Sequence, residues 1–316
     1  MIVSRQQHDA LLGELREQAS LAPAGLFGPS SVTWRLARES ANFLGGGRAA
    51  LLQAAHPFVA HAIRDHSRTK EDLAGRFQRT FLHVFSMVFG RGGEPMEAAR
   101  RVRRIHERIH GLIDEQIGPY PPGHPYDAND REALLWVFTT LIHTTIQVHE
   151  AIIRPLDLAT KDAFLAEGRR FAALFGIAPD DVPPDFTQFE AYFEATCQEK
   201  LAVGSAAAEI CHFLLKAPRP SLRPFWSWYE IVTAGLLPEN IREAFGLPWG
   251  PSRRAAYRAT LKTLSLSYAK VPGRFRFLPA YTDAMRHLGG KEGDDLFGRL
   301  VKRVVLKGLA QEGPRA

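Results

Sequence analysis

The chain has 316 residues, of which 45% are hydrophobic and 23% are charged, with 40 Lys and Arg against 34 Asp and Glu. These proportions are those of an ordinary folded protein and exclude a disordered, collagen-like or coiled-coil chain. A net charge of +6 over this length does not indicate a nucleic-acid partner, which needs positive charge concentrated on one face.

The two cysteines and the apolar segments indicate the cellular compartment of the protein. Cys197 and Cys211 fit neither a disulfide framework nor a CxxC pattern, so we expect a reducing compartment, the cytoplasm. The N-terminus lacks the apolar stretch of a signal peptide. The most apolar stretch, residues 133–146, is interrupted by threonines and a histidine, so we predict no membrane span.

Apolar residues recur every three or four positions between Gly and Pro punctuation, which predicts helices joined by short loops and no convincing strand pair. We therefore predict an all-α protein with one globular domain over residues 1–316. The predicted helices lie near residues 5–20, 30–43, 47–64, 69–89, 94–113, 128–154, 159–175, 186–202, 204–216, 222–236, 251–268 and 293–308.

Three local patterns refine this prediction. Thr69 and the segment 127–130 carry the capping residues and acidic first turns of helix N-termini. The triplet Gly45, Gly46 and Gly47 lacks the Lys-Ser/Thr of a phosphate-binding loop, so we interpret it as a chain reversal between helices. The Pro- and Gly-rich segment 118–125 has the length of a loop and does not divide the domain.

Histidines are frequent and clustered, which suggests a buried site. Of the twelve histidines, seven fall on or beside predicted helices between residues 56 and 149, and His149 is an eighth at the edge. The seven are His56, His61, His66, His83, His106, His110 and His143. A single histidine on an apolar face is more often a hydrogen-bonded core residue than a metal ligand, so each one needs separate support.

The sharpest single motif is His106-Glu107-Arg108-Ile109-His110, an HExxH string typical of zinc peptidases. A third zinc ligand of the expected kind does not follow it. If the segment is drawn as one helix, four apolar residues form a buried stripe. His106 lies on the same face as this stripe, His110 lies at its margin, and Glu107 lies on the charged face. The members of that stripe are Val102, Ile105, Ile109 and Ile113. One inward histidine fits a single axial ligand better than a two-histidine zinc site.

The sequence lacks complete motifs of di-iron proteins, serine hydrolases and nicotinamide-dependent dehydrogenases. Glu107 and His110 form the single ExxH of the histidine-rich region, which is half of a di-iron bundle site. The sequence has no GxSxG nucleophile elbow and no GxGxxG after a predicted strand, so hydrolase and nicotinamide-dehydrogenase interpretations lack a motif.

The order of several short segments is more specific than any one of them. They are residues 51–57 (LLQAAHP), 65–67 (DHS), 76–80 (RFQRT), 88–90 (VFG), 102–106 (VRRIH), 135–137 (LWV), 154–156 (RPL), 233–238 (TAGLLP) and 246–249 (GLPW). In this order they closely resemble the MpaB/rubber-oxygenase family, over roughly residues 30–255. The C-terminal helices in residues 256–316 would then pack on the family-like region.

The resemblance implies a globin-like helical core around a haem b pocket, with one histidine as the axial ligand of the iron. By position this ligand is His106, and His110 is the alternative. Arg76, Arg79 and Thr80 resemble the distal Arg-x-x-Lys-Thr segment of the rubber oxygenases. Arg79 replaces the lysine and, being always protonated, can donate hydrogen bonds but cannot ligate iron, which implies an open or water-occupied distal site. Arg76 and Arg79 could also hold the haem propionates.

These residues lead to three functional hypotheses. The first is a haem b-dependent oxygenase or other oxidoreductase that uses dioxygen on a small or medium apolar substrate, with Arg79 and Thr80 as catalytic residues. The second is a helical protein that keeps the family fold without haem or catalysis. The third is the zinc peptidase of the HExxH string. The roles of His56, His61 and His66 and the oligomeric state stay open.

Overall fold

Fifteen α-helices make up most of the chain that the computed structural model describes, which comprises residues 1–20, 24–66 and 70–290, without the side chains of Ser20 and residues 70–79. The prediction of an all-α protein is confirmed. The helices are α1 (Arg5–Ser20), α2 (Val32–Ala37), α3 (Gly46–Ala54), α4 (Pro57–Asp65), α5 (Lys70–Phe89), α6 (Glu94–His106), α7 (Arg131–Ile152), α8 (Leu158–Ala173), α9 (Phe186–Glu199), α10 (Ser205–Leu215), α11 (Arg223–Leu236), α12 (Glu239–Ala244), α13 (Pro251–Ser267), α14 (Gly273–Arg276) and α15 (Pro279–Leu288).

Helix α7 lies at the centre, and 14 of its 22 residues are buried. A helix that is apolar around most of its circumference must be enclosed by others, and α2, α3, α8 and α13 pack around it. Its N-terminus is capped as predicted, because the Asp130 carboxylate accepts hydrogen bonds from the backbone N–H groups of Glu132 and Ala133 at 3.0 and 3.1 Å. Trp136 is fully buried and donates its indole N–H to the Leu52 carbonyl at 2.8 Å.

Helices α5 and α6 pack against each other and are joined by residues 90–93 alone. So short a connection makes the two helices antiparallel. Gly92 permits the tight turn with a positive φ of 48°. The N-terminal half of α5 therefore lies beside the C-terminal end of α6, and α2 and α15 also pack on α5.

The predicted helix over residues 94–113 is wrong beyond His106, where α6 ends. The chain forms β1 (His110–Leu112), which pairs antiparallel with β2 (Pro125–Asp127), so the expectation of no strand pair is also wrong. Ile109 and Ile113 are buried, as the stripe predicted, but they pack with Tyr126 of β2 in a separate cluster. Ile105 is 48% exposed, because the stripe assumed a helix that does not continue.

Two further predicted helices are divided. The helix predicted at 30–43 consists of α2 and a 3-10 helix at Ser40–Gly45. The helix predicted at 47–64 breaks into α3 and α4 at His56, which has extended backbone with φ −81° and ψ 120°. Pro57 takes the first position of α4, where its missing N–H costs nothing.

The glycine triplet does not reverse the chain. Gly45 ends the 3-10 helix and Gly46 starts α3, both with helical backbone. A Cβ on Gly45 would lie 2.5 Å from Thr144 Cγ2 and 2.7 Å from Val148 Cγ2 of α7, and a Cβ on Gly47 would clash with Thr233 of α11. The triplet therefore allows three helices to approach closely, and the chain-reversal interpretation is wrong.

At the C-terminal side, α13 packs on α7 and α11, and α15 packs on α5. Helices α12, α14 and α15 were not predicted, since each is short. The predicted helix at 293–308 and the predicted cap at Thr69 lie outside the described residues. The globin-like arrangement of the core stays a prediction.

Candidate functional site

The predicted ligand His106 is the last residue of α6 and is half-buried. Thr80 lies in the middle of α5 and is exposed. Arg76 and Arg79 belong to the N-terminal half of α5, although their side chains lie outside the description. Because α5 and α6 are antiparallel neighbours, the fold brings the segment 76–80 and the end of α6 to the same part of the molecule.

The HExxH string does not form the helical pair that zinc peptidases need. His110 is an exposed residue of β1, so it shares no helix face with His106. Glu107 accepts hydrogen bonds from Arg5 at 2.6 and 3.0 Å and from Arg103 at 3.3 Å. The hydrogen bond from Arg5, followed by that from Arg103, lowers the pKa of Glu107 to about 2. A carboxylate with so low a pKa is a poor general base at neutral pH.

An apolar cavity of about 170 Å³ lies between α5, α7, α8 and the segment 33–53. Thr80 belongs to its lining, together with Phe81, Phe85 and Phe89 of the same helix. Two aromatic residues of α7, Trp136 and Phe138, are fully buried and do not belong to the lining.

The mouth of this cavity is aromatic. Phe43 lies 5.7 Å from Phe81 and 6.2 Å from Phe85, measured between ring centroids, and Phe43 and Phe81 are each 38% exposed. The hydroxyl of Thr33, also in the lining, is buried and has no hydrogen-bond partner among the described residues. A cavity with apolar walls and one unpaired hydroxyl suits a largely apolar molecule with one polar group.

A haem needs an axial nitrogen, an enclosing cavity and cations for its propionates. The imidazole of His106 suits the first need. The apolar cavity does not meet the second, because its volume of about 170 Å³ is smaller than the roughly 300–1,000 Å³ of pockets that enclose a small molecule and His106 is not in its lining. A second cavity of about 770 Å³ has the volume, but it is lined by the alternative ligand His110 together with His56, and His106 does not belong to it either. Side chains of residues 70–79, beside the end of α6, lie outside the description. A haem pocket at His106 would have to include them.

A buried polar network, which the sequence analysis missed, lies behind the cavity wall. Arg48 of α3 is 1% exposed and donates to the Leu236 carbonyl at 2.8 Å, the Thr144 hydroxyl at 2.5 Å and His143 Nδ1 at 2.8 Å. Since an arginine only donates, His143 Nδ1 accepts and its Nε2–H donates to Glu190 at 3.1 Å. The signal in the sequence was one arginine in the otherwise uncharged helix α3.

Burial controls the ionisation of this network. It lowers the pKa of Arg48 to about 10 and also lowers the pKa of His143, while the hydrogen bond from His143 lowers the pKa of Glu190. Phe193 stacks on the His143 ring with centroids 3.7 Å apart. A neutral histidine is thus held between a cation and an anion, an arrangement that fixes three helices.

The three histidines of the segment 56–66 have different surroundings. His56 is 5% exposed, its Nδ1 has no partner among the described residues, and burial lowers its pKa to about 4. His61 is fully buried and faces two carboxylates, Asp114 and Glu115. His66 caps the C-terminus of α4 and donates from Nε2 to the His110 carbonyl at 3.2 Å.

Comparison with known proteins identifies the class. The family described as "ER-bound oxygenase mpaB/B'/Rubber oxygenase, catalytic domain" matches residues 34–266. The chain therefore belongs to this family of oxygenase catalytic domains.

Among curated proteins, the chain is 25% identical over 158 residues to the Uncharacterized protein Rv2237 of Mycobacterium tuberculosis and to the Uncharacterized protein Mb2261 of Mycobacterium bovis. Each match covers 47% of this chain and 59% of the relative. No solved structure matches. Within residues 1–20, 24–66 and 70–290, no helix combines the length and apolar character that crossing a bilayer requires.

Proposed function

We propose that the protein is a haem b-dependent oxygenase that uses dioxygen on a small or medium apolar organic substrate. The observation that carries the proposal is the apolar cavity that Thr80 and the phenylalanines of α5 line, on the helix that bears the family segment 76–80. Membership of an oxygenase family supports the class of reaction. Haem b, when bound, supplies the dioxygen and electron-transfer chemistry that protein side chains lack.

In this proposal His106 holds the cofactor. A neutral imidazole at the end of α6 is a suitable axial donor, and its second ring nitrogen requires a hydrogen-bond acceptor that fixes the ring. His110 is the alternative ligand, but it lies on β1 after the helix has ended. Arg76 and Arg79 provide the positive charge that two propionates need.

The side chains of α5 have two further roles. Arg79 keeps its proton at all physiological pH values, so it would donate hydrogen bonds and would not itself bind the iron. Thr80 lines the apolar cavity and places a hydroxyl beside the substrate. The phenylalanines exclude water, which strengthens each polar interaction inside the cavity.

The decisive experiment is an absorption spectrum with pyridine-haemochrome quantitation of protein expressed with sufficient haem. We expect about one haem b per chain, a ferric state that is five-coordinate or water-bound, and ready uptake of imidazole or cyanide. His106→Ala should abolish haem retention, whereas the matched variant His110→Ala should retain it. Colourless protein that also fails to bind added hemin would support the haem-free alternative. Equal loss in both variants would show that the ligand assignment is wrong.

A test of the open axial position uses Arg79→Ala. We expect this variant to change the affinity for cyanide or the turnover, while its circular dichroism stays that of the parent protein. A nitrogen-ligated, six-coordinate resting spectrum that persists in Arg79→Ala would show that another side chain occupies the second axial position.

A further inference from the structure

One histidine and two carboxylates meet at a place that the family segments do not explain. His61 lies on α4, and Asp114 and Glu115 follow β1. His61 Nε2 lies 3.2 Å from Asp114 Oδ1 and 3.9 Å from Glu115 Oε1, and one donor atom from each residue lies within 4.8 Å of the other two. The imidazole is fully buried, whereas Asp114 is 61% exposed, so solvent reaches the cluster from one side.

The hydrogen bond of His61 Nδ1 determines that Nε2 is the nitrogen that faces the carboxylates. Nδ1 lies 2.8 Å from the Pro57 carbonyl oxygen. A carbonyl oxygen only accepts, so Nδ1 carries a proton. In the neutral ring Nε2 is then an electron-pair donor that points at two anions. Histidines that bind metals commonly donate their other N–H to a backbone carbonyl in this manner.

Among the described side chains, which do not include those of residues 67–79, the charges around His61 leave a negative surplus. Asp65, Asp114 and Glu115 are three carboxylates, and the neighbouring cation is Arg64, which contacts Asp65 at 2.7 Å and Asp114 Oδ2 at 2.9 Å. With His61 neutral, the four charged groups sum to −2, which one divalent cation would neutralise. Because Arg64 binds Oδ2 of Asp114, the other oxygen, Oδ1, stays directed at His61.

Glu115 is held in place from the other side. Its carboxylate accepts from the Ser205 backbone N–H at 2.9 and 3.1 Å and from the Ser205 hydroxyl at 2.9 Å, at the start of α10. Oε1 accepts from both Ser205 groups and Oε2 from the N–H alone. A carboxylate has about four acceptor sites, so one remains available to a cation, on Oε2. A Cβ on Gly204 would lie 2.5 Å from Glu115 Oε1, so glycine at this position allows the carboxylate to approach.

We propose that His61, Asp114 and Glu115 form a site for a divalent transition-metal ion, with Zn²⁺ as the cation that fits the donors best. Ligands about 2.0–2.1 Å from a zinc ion in tetrahedral geometry lie about 3.3 Å apart. The separation of 3.2 Å between His61 Nε2 and Asp114 Oδ1 already meets this requirement. The 3.9 Å between His61 Nε2 and Glu115 Oε1 would have to shorten by about half an ångström, through a small shift of the Glu115 side chain. Water supplies the fourth ligand, and the imidazole favours zinc over Mg²⁺, which prefers oxygen.

Such an ion would join α4, the segment after β1 and, through Glu115, the N-terminus of α10. The competing explanation for the same contacts is a protonated His61 in an ion pair with Asp114, which needs no metal. The two explanations differ in the protonation of Nε2 and in whether a metal ion binds.

The test is a titration of the full-length, chelator-treated chain with Zn²⁺ in competition with a chromophoric chelator, supported by metal analysis. We expect one tight equivalent of Zn²⁺, little competition from excess Mg²⁺, and an increase of the melting temperature on zinc addition. Asp114→Asn and His61→Gln should each weaken zinc binding at least about tenfold and remove the stabilisation. His212→Gln and Glu209→Gln, both on exposed positions of α10, are matched controls that should change neither.

Asp114→Asn keeps the test informative if His61→Gln fails to fold, because Asp114 is exposed. Zinc binding that is equal in Asp114→Asn and the parent chain would overturn the proposal, as would the absence of a tight equivalent. A nitrogen NMR spectrum that shows protons on both His61 ring nitrogens in the presence of zinc would establish the ion pair instead.

Discussion

The buried arginine of α3 provides a sharp test of what holds the helices together. Arg48 donates to a carbonyl, a hydroxyl and an imidazole, and all three acceptors are enclosed with it. In Arg48→Met the stem of the new side chain fills much of the space, but no donor replaces the guanidinium. Each hydrogen bond from a charged donor contributes about 1.5–3 kcal/mol, so three of them set an upper limit of about 5–9 kcal/mol.

The expected loss is smaller than this limit, because removing the charge also removes its desolvation cost. Breaking a buried charged network from one side costs about 3–5 kcal/mol, and we expect the free energy of unfolding to fall by that amount. Urea denaturation followed by circular dichroism measures it. Arg101→Met is the matched control: Arg101 is 60% exposed and pairs with Glu97 at 3.4 Å, so the change should be within about 0.5 kcal/mol. A loss below about 1 kcal/mol in Arg48→Met would refute the reasoning.

Two further predictions concern close packing and pH. Gly47→Ala should lower the free energy of unfolding by about 1–3 kcal/mol, because its Cβ would clash with Thr233. Gly13→Ala, with no atom within 4 Å of its Cβ, should instead raise the free energy of unfolding by about 0.5–1 kcal/mol. Thermal or urea unfolding of the two variants measures both changes. Burial lowers the pKa of His56 to about 4, so the unfolded chain takes up a proton first as the pH falls. Stability should then decrease by about 3 kcal/mol between about pH 6.5 and pH 4, and His56→Phe should flatten this part of the pH profile; an unchanged slope would contradict the assignment.

Local signals explain the helices that the sequence predicted well. The periodicity and the Asp130 cap of α7 depend on residues within a few positions of each other, and the same holds for α5 and α13, whose ends lie within one residue of prediction. Capping and amphipathic spacing are properties of a segment by itself. Such elements can be predicted before any partner is known.

The failure after His106 has a tertiary cause. Isoleucines at 105, 109 and 113 have a helical spacing. Positions four apart also lie on one face of a β-strand, so no local signal distinguishes the helix from a strand with one buried face. The backbone instead pairs with a segment beyond the 118–125 loop, where Gly111 faces Tyr126. A Cβ on Gly111 would lie 2.7 Å from the Tyr126 hydroxyl, so glycine permits the pairing. Because the helix ends at His106, the two histidines of the HExxH string do not share a helix face and cannot form the zinc-binding pair.

The candidate site was predictable only as far as the family segments reach. They indicated His106 and the segment 76–80, but the network of Arg48, His143 and Glu190 joins three helices whose residues are 95 and 47 positions apart. No motif has such spacings. The zinc-site candidate has the same character, since His61 and Asp114 are 53 positions apart.

The network and the apolar cavity share one residue, and this connects stability to the proposed function. Thr144 lines the cavity and accepts the hydrogen bond from Arg48. Because the same guanidinium binds the Leu236 carbonyl at the end of α11, it fixes α3 and α7 against a third helix. Both α3 and α7 contribute cavity walls, through Ala49, Ala50 and Thr144 among others. The shape of an apolar cavity in this fold therefore depends on a polar network behind it, which the substrate itself would not touch.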